Sequence, residues 1–188
     1  MNDRWRNLPR IFGTALLIGA LGCEGLKDPP EKPDPIATAP ASVPEEPPSP
    51  PKDLKPKQAA LPKLPKGAGE IDEDAPDELT PTPSGLYYRI LRKSDGRKPT
   101  TQNRVVVNYR GTLDNGSQFD SSYDRAEPSE FGLTQVIKGW TEGLQLIGEG
   151  GMIELEIPYW LAYGPMGSPP RIPGKATLHF LIELKEVK

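Results

Sequence analysis

Sixteen of the 24 prolines in this 188-residue chain fall between Pro29 and Pro83. Average usage near 5% would put about nine in the whole chain. Few large apolar residues accompany them, so this window cannot bury enough surface to offset its ordering entropy. Residues 23–82 are therefore expected to form a disordered linker. Its central run, "PEKPDPIATAPASVPEEPPSPPKDLKPKQAALPKLPK", shows no sustained helical or strand period. From Glu24 to Thr80 it carries 13 acidic and 7 basic side chains, a net of −6. Proline biases such a chain to polyproline II, with a rise of about 3.1 Å per residue, so it would reach on the order of 100 Å. A PxxP ligand for a partner domain is the competing reading.

Residues 1–22 read as an export signal. Arg4, Arg6 and Arg10 precede "IFGTALLIGALG", a twelve-residue stretch too short for a comfortable membrane span. It runs into Cys23, the single cysteine of the chain. Small residues before a cysteine resemble the bacterial lipobox, with Ala20 where leucine is usual. That resemblance implies lipidation of Cys23, a membrane anchor, and a place in the bacterial cell envelope facing the periplasm or the outside. An ordinary signal with an incidental cysteine, or a short uncleaved anchor, is the alternative.

With one cysteine no internal disulfide exists, so the rest must rely on a hydrophobic core. About 105 residues suffice for one. "GLYYRILRK", "RVVVNYRGTL", "SEFGL", "GGMIELEIP" and "ATLHFLIELKEV" read as strands, and Asn115-Gly116 marks a hairpin. In the second of these strands Val105, Val107 and Tyr109 share a face. "VIKGWTEGL" has the apolar spacing of a short helix, although Gly139 and Gly143 each cost roughly 1 kcal/mol in a helix interior. Five strands and one short helix give an α+β domain over 83–188, its antiparallel sheet covered on one side.

The net charge of −3 offers no footprint for nucleic acid. One histidine, His179, alternates with inward Leu178 and Phe180 and has no histidine partner for a metal set. No nucleophile elbow, carboxylate pair or glycine-rich phosphate loop is present. Neither a metal nor a cofactor is expected. What remains is aromatic: Tyr109, Phe119, Phe131, Trp140, Tyr163 and Phe180. These are core residues or, if they converge, the walls of an apolar pocket with a few polar handles.

The stretches "VVVNYRGTLDNGSQFDSSYDRAEPSEFGLTQVIKGWTEGLQL" and "IPYWLAYGPMGSPPRIPGKATLHFLIEL" resemble FKBP-type peptidyl-prolyl isomerases, over residues 84–188. The motifs Y-x-G-x-L, F-D-S-S, V-I-x-G-W-x-E-G-L and L-A-Y-G carry the resemblance. It implies a five-stranded antiparallel half-barrel sheet wrapped around one short helix. It also implies a pocket of Tyr109, Phe119, Val136, Ile137, Trp140 and Phe180, with Trp140 as its floor. The Ile137 N–H and the Tyr163 hydroxyl would hold substrate carbonyls, and Phe131 and Ile172 would border the substrate. Asp120 would be a polar edge, with Arg125 as its partner, or else a structural acceptor. The implied ligands are proline-containing polypeptides and macrolides such as tacrolimus or rapamycin. Gly174, where a second proline is common, and Arg171 bear on substrate preference. With the Pro-rich segment in place of a helical dimerisation segment, a monomer is expected. A fragment from Ser84 onward is expected to carry the activity. The alternative is a binding or chaperone module of the same fold with little turnover.

Overall fold

Apolar alternation builds one sheet. The computed structural model describes residues 48–49, 51 and 53–188. The expected signal segment, Cys23 and the linker up to residue 47 lie outside them. Eight strands follow in chain order: β1 (Lys57–Gln58), β2 (Glu78–Pro81), β3 (Tyr87–Arg92), β4 (Arg104–Leu113), β5 (Gln118–Ser121), β6 (Ser129–Gly132), β7 (Met152–Ile157) and β8 (Leu178–Val187), with one helix, α1 (Lys138–Leu144). The sheet runs β1-β2-β3-β7-β8-β4-β5, all neighbours antiparallel. β6 pairs with the first half of β4 and β5 with its second half, on the same edge. The five expected strands are β3, β4, β6, β7 and β8. The hairpin after β4 also forms, closed by Gly116 N–H to Leu113 O at 2.8 Å, and delivers β5.

On one face Val105, Val107, Tyr109, Ile153, Leu155, Ile157, Phe180 and Ile182 are buried against α1. Met152, three residues from Leu155 along β7, points to the other face with Glu154 and packs with Leu91 and Leu181. The helix resolves its own glycines. A Cβ at Gly139 would lie 2.4 Å from the Ile157 side chain, and one at Gly143 2.7 Å from Leu155. The two glycines give up helix propensity to let α1 lie directly on β7. Tertiary packing sets the stability of so short a helix.

The opposite face overturns the expectation of one-sided cover and of a free linker up to residue 82. Residues 57–81 lie along the sheet. Lys57 Nζ meets both oxygens of Glu156 at 2.8 Å. Asp72 N–H donates to Leu91 O at 2.8 Å, and Gly69 N–H donates to buried Glu183. Ile71 completes a second small core with Leu91, Met152 and Leu181. Arg89, only 1% exposed, is the fastening. Its guanidinium pairs with Glu154 at 2.5 Å and donates to Ala59 O and Ala60 O at 2.7 and 2.5 Å. The physical reason is visible in β3, β7 and β8, whose outward residues are partly apolar and need a lid. A strap of extended chain supplies it without any periodicity of its own. A fragment beginning at Ser84 would lose the strap with β1 and β2, so the folded unit starts well before that residue.

Candidate active site

The inward positions of the sheet and α1 bring the predicted aromatics together. The Trp140 ring stands 5.3 Å from Tyr109, 5.6 Å from Phe131 and 5.2 Å from Phe180, centroid to centroid. All three contacts are edge-to-face, the arrangement the ring quadrupole favours by about 0.5–1.5 kcal/mol beyond burial. Phe119 meets Phe180 the same way at 5.5 Å. Gly111 of β4 makes room for that pair, because a Cβ there would lie 2.5 Å from the Phe119 ring and 2.8 Å from Phe180.

A polar edge borders these rings. Arg125 follows β5 in a single 3-10 turn, Tyr123–Arg125. Its Nη1 donates to Asp120 Oδ1 at 2.8 Å, and its Nη2 donates to the Tyr109 hydroxyl oxygen at 2.8 Å and to Ser129 Oγ at 3.2 Å. The Tyr109 hydroxyl in turn donates to Asp120 Oδ2. The expected Asp120–Arg125 pair is therefore a triad with Tyr109, which the sequence reading treats only as a wall. Burial pushes the Tyr109 hydroxyl upward, with Asp120 adding to the shift. Burial also moves the Tyr163 hydroxyl up to about 12, and the Asp120 charge adds to it. Both therefore stay protonated donors through neutral pH.

One donor at this place has no protein acceptor among the described residues. The Trp140 indole N–H is buried and unpartnered. Ile137, itself 2% exposed, caps the start of α1 by accepting from Trp140 N–H at 2.9 Å and Thr141 N–H at 3.2 Å. A buried donor left unpaired costs about 1–3 kcal/mol, so such groups are uncommon in a finished core.

The structure corrects one expectation. The aromatic set is a buried cluster and not an open pocket: Tyr109 and Trp140 are fully buried, and Phe119 and Phe131 are 8% exposed. Leu161, Tyr163 and Ile172 pack into the same core. Ile172 is held there by a reciprocal bridge with Ser168, at 2.8 and 3.0 Å. Val136 is half-buried against the cluster, and Arg125 and Arg171 are exposed. Gly174 closes the loop, since a Cβ there would lie 2.2 Å from Pro165 O. His179 lies on the other face, half-buried, its Nε2 at 2.7 Å from Asp114 Oδ1.

Residues 95–185 match the family model of FKBP-type peptidyl-prolyl cis-trans isomerases. The chain is 36% identical to a crystallised peptidyl-prolyl cis-trans isomerase from Pseudomonas syringae pv. tomato, covering 58% of this chain and 80% of that one, with a TM-score of 0.55. The chain belongs to the FKBP-type peptidyl-prolyl cis-trans isomerase family. Another family structure, AtFKBP13, is 34% identical, with 58% of this chain and 98% of that one covered and a TM-score of 0.55. The FKBP-type isomerase FkpA of Escherichia coli is 50% identical over 105 residues. The match takes in 56% of this chain and 38% of that relative, so this FKBP-type chain spans well under half of FkpA's length.

Proposed function

We propose that this chain is a prolyl isomerase that accelerates rotation about X-Pro bonds in folding envelope proteins, through its aromatic site and without covalent catalysis. The observation that carries the reading is the buried, unpartnered Trp140 Nε1–H within a converged aromatic cluster. An X-Pro bond rotates across a barrier of about 18–20 kcal/mol, in tens to hundreds of seconds. Planarity comes from resonance that places partial charges on oxygen and nitrogen, and the twisted transition state loses that separation. An apolar enclosure disfavours the planar state relative to the twisted one, which is differential binding with no need for a nucleophile. Phe119, Phe131, Val136 and Phe180 would surround the prolyl ring over Trp140, with the sheet's half-barrel wrap around α1 forming the walls. Ile172 would border the residue before proline. The Ile137 N–H and the Tyr163 hydroxyl would hold carbonyls on either side of the bond. Asp120, fixed by Tyr109 and Arg125, would tune the field at the twisting carbonyl. Tacrolimus or rapamycin would occupy the same place.

Tyr163→Phe removes one hydroxyl from the carbonyl site. A neutral hydrogen bond is worth about 0.5–1.5 kcal/mol, so kcat/KM on an apolar-X-Pro peptide should fall roughly two- to tenfold. Complete loss would give Tyr163 another role. A binding module with little turnover is the second reading. An X-Pro peptide that binds and does not exchange faster would select it.

The same proposal places the chain on a membrane through lipidated Cys23, as a monomer on a Pro-rich tether. Diacylglycerol on Cys23 would anchor stably, since each buried CH₂ contributes about 0.8 kcal/mol and two chains hold where one is marginal. Cys23→Ser should abolish palmitate labelling and leave isomerase activity unchanged. A mature N-terminus other than Cys23 by mass spectrometry would contradict the anchor alone.

A further inference from the structure

The strap carries a feature that its structural role leaves over. Three large apolar side chains are exposed among the described residues: Leu61 at 48%, Leu64 at 39% and Met166 at 71%. Leu61 and Leu64 both precede proline, in "LPKLPK", and both lie on the strap. Met166 lies on the loop that carries Ile172 into the candidate site. Between residues 60 and 64 the strap makes no backbone–backbone hydrogen bond. It is held there by carbonyls, with Arg89 on Ala60 O and Arg110 on Lys63 O, while both leucines face solvent.

We infer that the Leu61–Lys66 stretch is a ligand for the isomerase site of a second copy of this chain. The inference rests on the proposed isomerase reading. The chemistry fits, because each Leu-Pro unit offers an apolar residue directly before proline to a site with apolar walls. The charge fits as well. Residues 54–66 contain Lys55, Lys57, Lys63 and Lys66 and no acidic residue, although the Pro-rich segment as a whole is acidic. The segment bordering the site, 120–130, contains Asp120, Asp124, Glu127 and Glu130 against Arg125. With Asp120 paired to Arg125 and Glu130 to Arg104 and Lys188, Asp124 keeps the local sign negative. Topology makes the contact intermolecular. Arg89 and Arg110 project from the sheet face opposite to that of Tyr109 and α1, so the sheet separates a docked strap from the site of its own molecule. Entry of a proline requires release of the strap carbonyls, and no backbone ladder has to break in this stretch.

The test follows NMR exchange of a Leu-Pro reporter peptide at increasing concentrations of the full chain, wild type against Leu61→Asn/Leu64→Asn. Both substitutions fall on exposed side chains and spare the fold and the site. The wild-type rate per molecule should fall at least twofold between about 10 µM and about 1 mM chain, the range of a weak self-complex, and the double variant's should stay constant. Constant rates in both proteins overturn the inference and leave the isomerase reading standing. An equal fall in both assigns self-association to another surface and also overturns it. Absence of turnover at every concentration sinks the isomerase reading, and the inference falls with it.

Discussion

Trp140→Ala is expected to cost roughly 3–5 kcal/mol of stability, the range for truncating a buried large aromatic. The indole is fully buried and is the one ring in edge contact with Tyr109, Phe131 and Phe180 together. Its removal leaves a cavity walled by β4, β6 and β8, which the hydrogen-bonded strands close only in part. The same change should lower isomerase activity by more than tenfold, because the floor of the site goes with it. Urea unfolding measures the first effect and peptide exchange the second. Trp140→Phe keeps most of the volume and should separate them, with a smaller loss of stability and a clear loss of activity. Full activity in a folded Trp140→Ala protein would put the site elsewhere.

Arg89→Ala is expected to destabilise by a comparable amount, about 3–5 kcal/mol, since it leaves the half-buried Glu154 and several strap carbonyls without their donor. Burial already pushes the Glu154 carboxyl upward, with Arg89 working against that shift, so loss of the guanidinium removes what holds the charge there. The strap should loosen first. Trypsin should then cut after Lys57, Lys63 and Lys66 well before it attacks the sheet. A variant with wild-type thermal stability and an equally protected strap would show that Arg89 fastens nothing. This outcome separates the strap from the site, because Arg89 stands on the far face of the sheet.

The contrast between strap and site shows what single-chain patterns carry. Alternation in "RVVVNYRGTL" places Val105, Val107 and Tyr109 on one face, and the structure buries all three. Asn115-Gly116 marks the hairpin because its glycine must take a positive φ, here 79°. The aromatic convergence around Trp140 follows from family motifs, not from any local period. The strap was illegible because its order comes from elsewhere. Its residues have no period and many prolines, and they are fixed by Arg89, Glu183 and Leu91 on distant strands. A clue was available in β8. Leu181 is apolar on the face of His179 and Glu183, a face that needs cover if it is to hold leucine. The Tyr109–Asp120–Arg125 triad was half legible. The Asp120–Arg125 pair is local, while the Tyr109 hydroxyl joins it only through the β4–β5 register, in which Gly111 faces Asp120.

The central claim is catalysis of prolyl rotation by a chain that keeps its strap. Two-dimensional NMR exchange on a Leu-Pro peptide, with the full chain added at about a hundredth of the peptide concentration, tests it most directly. Uncatalysed exchange takes tens to hundreds of seconds. The account predicts cis–trans cross-peaks at sub-second mixing times that vanish when tacrolimus is added. A chain folded by circular dichroism that leaves the exchange at its spontaneous rate would contradict it.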